Sequence, residues 1–369
     1  MQLPKDEDLE ISRLSSVFSD TTNSYKFYWF IAILDCLSEN EEAVISLDKI
    51  ALKMISKVWY PLNYFKLSFG KQDGFKQVAD FITERIVIDN SINSPSLIDQ
   101  INTKMTRKEQ AILILKVREL LRWVPFRFIR PYFFEETKGL PDNQVNNKIV
   151  ELANSNFDRF EHRVIYKFTG EYIELNPIWI NYFQKHQTIL RGFIYWNLLK
   201  FVQKNNPNVI GLSEKLDKPI MRDLKQANIF WREFIKGSEP INCIYSGEFI
   251  TLKNISLDHF LPWSYVAHDQ LWNIIPTSKI INSKKNNWLP SLELYLHKFA
   301  KNQFSALKFH IEKENFKIVE DYNTLFSTNS DTLSSISLEN FTNKLEKYIT
   351  PQFQTALNIG FSYPFVYHI

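Results

Sequence analysis

Apolar positions along this chain fall mostly at helical spacing. The run SYKFYWFIAILDCL, Ser24 to Leu37, is apolar on every side, which predicts a largely buried helix capped by Asn23 or Ser24. A second helix is expected from Ser46 to about Tyr60, stopped by Pro61. Ala111–Trp123, Ile189–Val202, Met221–Ile235, Leu292–Lys313 and Leu338–Tyr348 repeat the period, and the third of these is basic on its polar side. Two stretches break it. Arg163–Phe168 and Tyr172–Leu175 alternate and meet at Gly170, as a short hairpin would. Pro125 to Phe134 sets Phe and Arg around two prolines and reads as extended. The aromatic run from Trp59 to Gly70, with Lys66 inside it, predicts packing around a proline corner; stacking of unpaired bases is the alternative. The apolar tail from Phe361 to Ile369 is expected to dock on the body or on a second subunit.

Composition fits a mostly helical protein. Apolar residues make up 44% of the 369, aromatic ones 15%, and glycine occurs only 9 times. That length suits two or three domains with proper cores. The first residues are acidic and polar, unlike a signal peptide. The most apolar early run, Phe27–Leu34, stops at Asp35 after eight residues, whereas a membrane span needs about 20. A cytoplasmic protein that leaves membranes alone is expected.

The net charge of +3 hides an uneven distribution. Lys104–Arg130 holds eight Lys/Arg against two Asp/Glu, and Lys185–Lys236 holds ten against four; after Ala306 the balance turns acidic. Basic segments of this kind either grip a polyanion or solvate helix faces. Arg222, Lys225 and Arg232 are the candidates for the first role.

The most informative stretch is LDHFLPWSYVAHDQLWNIIPTSKIINSKKN, Leu257 to Asn286. It holds an Asp258–His259 pair, then Asn273 and Asn282, 14 and 23 residues beyond His259, then Lys284 and Lys285. A carboxylate and an amide oxygen suit a hard divalent cation. A neutral imidazole can take a proton from water, and lysines can face phosphate as point charges. His268 is a second imidazole in the same loop, outside the spaced set.

In order, spacing and context this run resembles the HNH nuclease family. The resemblance implies a ββα-metal hairpin in an otherwise mainly helical chain, α+β overall. Cys243–Gly247 would lead in, Glu248–Leu252 would turn at Lys253-Asn254 into Ile255–His259, and a loop constrained by Pro262 and Pro276 would follow. A helix from about Lys279 to Trp288, capped near Ser278, would carry Asn282 and Lys285 on one face. It further implies Asp258 and Asn282 as ligands of one Mg²⁺ or Mn²⁺, and His259 as general base. Asn273 would bind loop backbone and steady His259, with Lys284 and Lys285 near phosphate.

Many relatives of this kind hold a structural zinc on two Cys-x-x-Cys pairs. This chain has only Cys36 and Cys243, far apart, so no structural zinc is expected. The expected organisation is a helical region 1–180, a basic connector 181–237, the nuclease module 238–292 and a helical region 293–369. The expected activity is hydrolysis of DNA in bacterial restriction or phage defence, with RNA left open and a second copy or a defence-system protein as partner. The alternative is a silent HNH fold that binds nucleic acid or protein inside a larger complex.

Overall fold

The computed structural model describes residues 2–40, 43–88, 92–159, 163–217, 222–238 and 240–368. The chain divides into two compact units where four segments were expected. One comprises residues 1–207 with 215–218, the other 208–214 with 219–369. The expected connector is therefore split between them, and the C-terminal helices share a core with the 238–292 stretch expected to form the nuclease module.

In the first unit α1 (Tyr25–Asn40) is buried on nearly every side, as its unbroken apolar run requires. Its first amide is met by Asn23 Oδ1 at 3.2 Å. A short strand β1 (Val44–Ser46) leads into α2 (Leu47–Trp59), which Ser46 caps. The helix does not stop at Pro61. It runs on as a wider π turn, Tyr60–Tyr64, which leaves out the proline's missing amide. The rings of Trp59, Tyr60, Tyr64, Phe65 and Phe69 are all buried there, so this aromatic run is packing.

α3 (Arg107–Leu120) starts in a capping box between Thr106 and Glu109. The segment read as extended, 125–134, is helical: Val124–Ile129, a 3₁₀ turn Arg130–Phe133, then Phe134–Thr137. Pro125 and Pro131 each sit in a first turn, where no amide hydrogen is needed. The hairpin forms as β2 (Tyr166–Thr169) and β3 (Tyr172–Leu175), and β1 adds to β3 as an unforeseen third strand. The unit's longer helices also include Asp142–Asn156 and α4 (Gln187–Asn205).

The second unit opens with α5 (Lys225–Gly237). That start is later than the expected Met221, which lies outside the described residues, so Arg222 precedes the helix. Two small antiparallel pairs follow: β4 (Ile241–Asn242) with β5 (Phe249–Ile250), and β6 (Ile255–His259) with β7 (Ile274–Ser278). The partner of β6 is thus not Glu248–Leu252. It is the stretch around Pro276, read above as loop. A two-stranded sheet consists of edges, where a proline costs no ladder bond.

Ser278 caps α6 (Lys279–Lys285), which ends three residues short of Trp288. α7 (Leu292–Glu312) and α8 (Leu338–Asn358) pack on each other, α8 continuing through Pro351 well past Tyr348. The stretch 323–337 between them holds parts of two short helices, Glu320–Phe326 and Ser330–Ser335. The tail docks on its own unit: Phe365 accepts from Ser291 N and donates to Leu289 O at 2.7 Å. Among the described residues no helix is long and apolar enough to cross a membrane.

Candidate active site

β6 reads ISLDH and its last two residues are buried, so the strand delivers Asp258 and His259 into the protein rather than to open solvent. Asp258 Oδ2 accepts from the Tyr245 hydroxyl at 2.8 Å, and Oδ1 from Lys285 Nζ at 3.2 Å. Lys285 Nζ also donates to the His259 carbonyl at 2.6 Å. Burial, and then the Asp258 charge, push the Tyr245 phenol well above its ordinary range, which keeps it a donor. Burial holds Lys285 below its ordinary range, and Asp258 offsets only part of that. A buried ion pair holds only because both charges are answered.

Lys285 was expected at a phosphate and is instead fully buried. It does share a face of α6 with Asn282, but that face turns inward onto β6. Lys284, in the same last turn, is exposed, its ammonium 5.4 Å from the Tyr367 ring.

The His259 ring is held by a residue the spacing did not reveal. Its Nε2 lies 2.8 Å from Asp269 Oδ1. A carboxylate accepts, so Nε2 carries the proton and Nδ1 is left as the acceptor of the neutral ring. Burial alone would raise Asp269. The bond and charge of His259, the Asp223 amide at 3.0 Å and the Arg222 charge outweigh it, holding the carboxyl below the usual carboxylate range. Arg222 itself lies over the Trp263 ring, 4.5 Å from its centre. His268 sits beside Asp269, where its Nδ1 accepts from Gln270 N.

Asn273 fixes the loop and not the ring. Fully buried, it accepts from Leu261 N at 2.8 Å and donates to Leu261 O at 2.9 Å, while its own carbonyl takes Phe260 N. From behind, α7 braces the same turn through Gln303, whose amide donates to the carbonyls of Leu271 and Ile274. Asn273→Ala would strand both backbone groups of Leu261 in the core. Thermal unfolding should then show a loss of about 2–4 kcal/mol; a change below about 0.5 kcal/mol would mean the loop holds without it.

Asn282 donates its amide hydrogens to Leu257 O at 2.8 Å and Ser256 Oγ at 3.0 Å. That ties α6 to the residue before Asp258 and leaves the amide oxygen to a ligand. Asp258 keeps unshared lone pairs beyond its two bonds. These are hard oxygen donors, so the set fits Mg²⁺ or Mn²⁺ chemically, with Lys285 sharing the carboxylate. Among the described residues no three His, Cys, Asp or Glu side chains gather as a metal group. Cys243 is buried, its sulfur 3.2 Å from Thr277 Oγ1.

Against known families, the model for the HNH endonucleases matches residues 243–291. This segment is similar to the HNH endonuclease domain. The match spans both strands of the β6–β7 pair and α6, and no curated protein and no solved structure matches the chain. HNH domains act as nucleases on nucleic acid and as a family work with divalent metal ions.

Of the other expected contacts, Lys225 and Arg232 are exposed on α5, Arg232 with long contacts to Asn228 Oδ1 and Leu252 O. Tyr245 and Asp269 were missed. Tyr245 stood in the quoted lead-in, and Asp269 sits ten residues after His259, but only the path of the loop brings either to the pair.

Proposed function

We propose that the chain is a metal-dependent HNH endonuclease that hydrolyses phosphodiester bonds in DNA, with a role in bacterial restriction or phage defence. The observation that carries the reading is the His259–Asp269 contact, which leaves one nitrogen of the neutral ring able to accept a proton. His259 Nδ1 takes the proton of the attacking water, and the ionised Asp269 stabilises the imidazolium that forms. Asp258 and Asn282 hold Mg²⁺ or Mn²⁺. That ion, when bound, supplies positive charge at the leaving 3′ oxygen. Asn273 keeps the loop after β6 in the shape that presents His259.

One observation favours the silent alternative: the Lys285 ammonium already lies on an oxygen of Asp258. A cation already at that carboxylate lowers the affinity for a second one. Calorimetric titration with Mn²⁺ separates the two readings. Millimolar or tighter binding that Asp258→Asn removes supports the nuclease, and no binding with or without DNA supports the silent fold.

Exposed basic residues on α5 are proposed to track the substrate backbone. Lys225→Glu with Arg232→Glu should flatten the salt dependence of DNA affinity by about two units and weaken all sequences alike. Arg222 is left out of this test because its charge acts on Asp269. An unchanged slope would mean that α5 only packs.

A further inference from the structure

The first unit carries a cleft of about 910 Å³ that the nuclease reading does not use. Its walls come from the loop before α1, from α1 itself and from the 123–134 segment, the stretch in which Arg alternates with aromatic residues. Lys26, Arg127 and Arg130 all line it. So do Trp123 and Phe134, two large rings left 40% and 47% exposed in a unit whose other aromatics are mostly buried. We propose that this cleft binds a phosphorylated nucleoside, with its phosphate on Lys26, Arg127 and Arg130 and its base against Trp123 and Phe134.

The cations are held ready. Lys26 Nζ donates to the carbonyls of Val17 at 3.0 Å and Asp20 at 2.8 Å, which fixes the ammonium at the wall. Arg130 is steadied by Thr137 through Nε at 3.3 Å. Arg127 pairs with Asp142 Oδ1 at 2.7 Å, but that carboxylate is 83% exposed. Arg127 itself is only 16% exposed, and a phosphate can take the place of so open a carboxylate on its guanidinium fork.

Three positive residues face two acidic ones, Asp20 and Asp142, in this concavity, which leaves a net positive charge. Burial, partly offset by Asp20 and reinforced by Arg130 and Arg127, pulls Lys26 down to about 8. An anion in the cleft offsets that charge.

The rings argue for a base as well as a phosphate. The guanidinium carbons of Arg122 and Arg127 lie 5.1 and 5.5 Å from the Trp123 ring centre, so the indole stands among cations. Base–aromatic stacking contributes about 1–3 kcal/mol per base and needs only an exposed π face. Ser19 and Thr22 add hydroxyls suited to a sugar. The volume lies within the range of small-ligand sites, about 300–1,000 Å³. A free nucleotide and an unpaired nucleotide at a strand end share this chemistry.

Isothermal titration of the full chain in EDTA tests the site without any catalytic step; the ATP and pyrophosphate arms are independent of the nuclease reading, and for the dodecamer, which α5 would also hold, only the part of the binding lost in Arg127→Gln and Trp123→Ala counts for the cleft. The probes are ATP, inorganic pyrophosphate and a 5′-phosphorylated single-stranded dodecamer. ATP or the dodecamer should bind at least about tenfold more tightly than pyrophosphate, because only they offer a base. Binding of ATP alone identifies a free nucleotide as ligand, and binding of the dodecamer alone a strand end. Arg127→Gln and Trp123→Ala should each weaken that binding about tenfold or more, whereas Trp123→Phe, which keeps a ring, should stay within about threefold. Each variant's unfolding temperature is measured alongside. Absence of binding by all three probes overturns the proposal. Equal binding of pyrophosphate and ATP does so too, as does affinity that is unmoved in folded Arg127→Gln.

Discussion

His259→Ala is expected to cut the rate of phosphodiester cleavage by about 10²–10⁴-fold while leaving DNA affinity within about twofold, the loss that removal of a general base brings. The imidazole makes one side-chain hydrogen bond, to Asp269, and that carboxylate is already held by the Asp223 amide. Removing the ring therefore leaves no buried carboxylate without a partner, and the fold should survive. Asp269→Asn is the companion test. Asparagine can offer an amide hydrogen where the carboxylate only accepted, which permits the tautomer with its proton on Nδ1. The rate should fall about tenfold or more with affinity unchanged. Asp269 stays ionised from neutral pH down past the ordinary carboxylate range, so its support for His259 should persist through mild acid. It is lost only as the pH falls through its lowered value. A His259→Ala protein that cuts within about tenfold of the original would remove His259 from the role of base.

The second large effect concerns Asp258, where stability and activity are coupled. Asp258→Ala leaves the fully buried Lys285 ammonium with only the His259 carbonyl. Breaking such a pair from one side costs about 3–5 kcal/mol, so this variant should be both inert and markedly easier to unfold. Asp258→Asn separates the two. It keeps the shape and an acceptor oxygen for Tyr245 or Lys285 but loses the charge that a divalent cation needs. It should unfold closer to the original yet cut at least about 10²-fold more slowly, with a raised Mg²⁺ requirement. Asn282→Ala should likewise raise that requirement, at a cost of about 1–2 kcal/mol for its lost bonds to Leu257 and Ser256. Full-rate cleavage by Asp258→Asn at ordinary Mg²⁺ would exclude Asp258 as a ligand.

Much of the module was legible because it is contiguous. Asp258, His259, Asn273 and Asn282 lie within one run, and the strand, cap and helix that carry them follow from local sequence. What depended on the path of the chain was not legible. Pro276 made β7 look like loop, since nothing local says that its strand has only one partner. The three-residue step from Asn282 to Lys285 correctly put both on one face of α6, but spacing does not say whether a face turns to solvent or to β6. Asp269 and Tyr245 reach the pair through loop geometry alone. Prolines misled elsewhere too, each time read as breaking helix where the chain is helical. Pro125 and Pro131 begin helical turns that read as extended, and Pro351 sits within α8, which was expected to end near Tyr348. The buried run of α1 and the Gly170 hairpin were clear, because in each the period and the turn residue agree.

The most direct test incubates the purified chain with supercoiled plasmid in Mg²⁺ or Mn²⁺, in EDTA, and as His259→Ala in Mg²⁺. The nuclease account predicts nicked and linear products with the metal, none with EDTA, and at most about a hundredth of the rate from the variant. Intact plasmid in every lane, with linear and single-stranded DNA also uncut, would contradict it, as would equal cleavage by the His259→Ala protein.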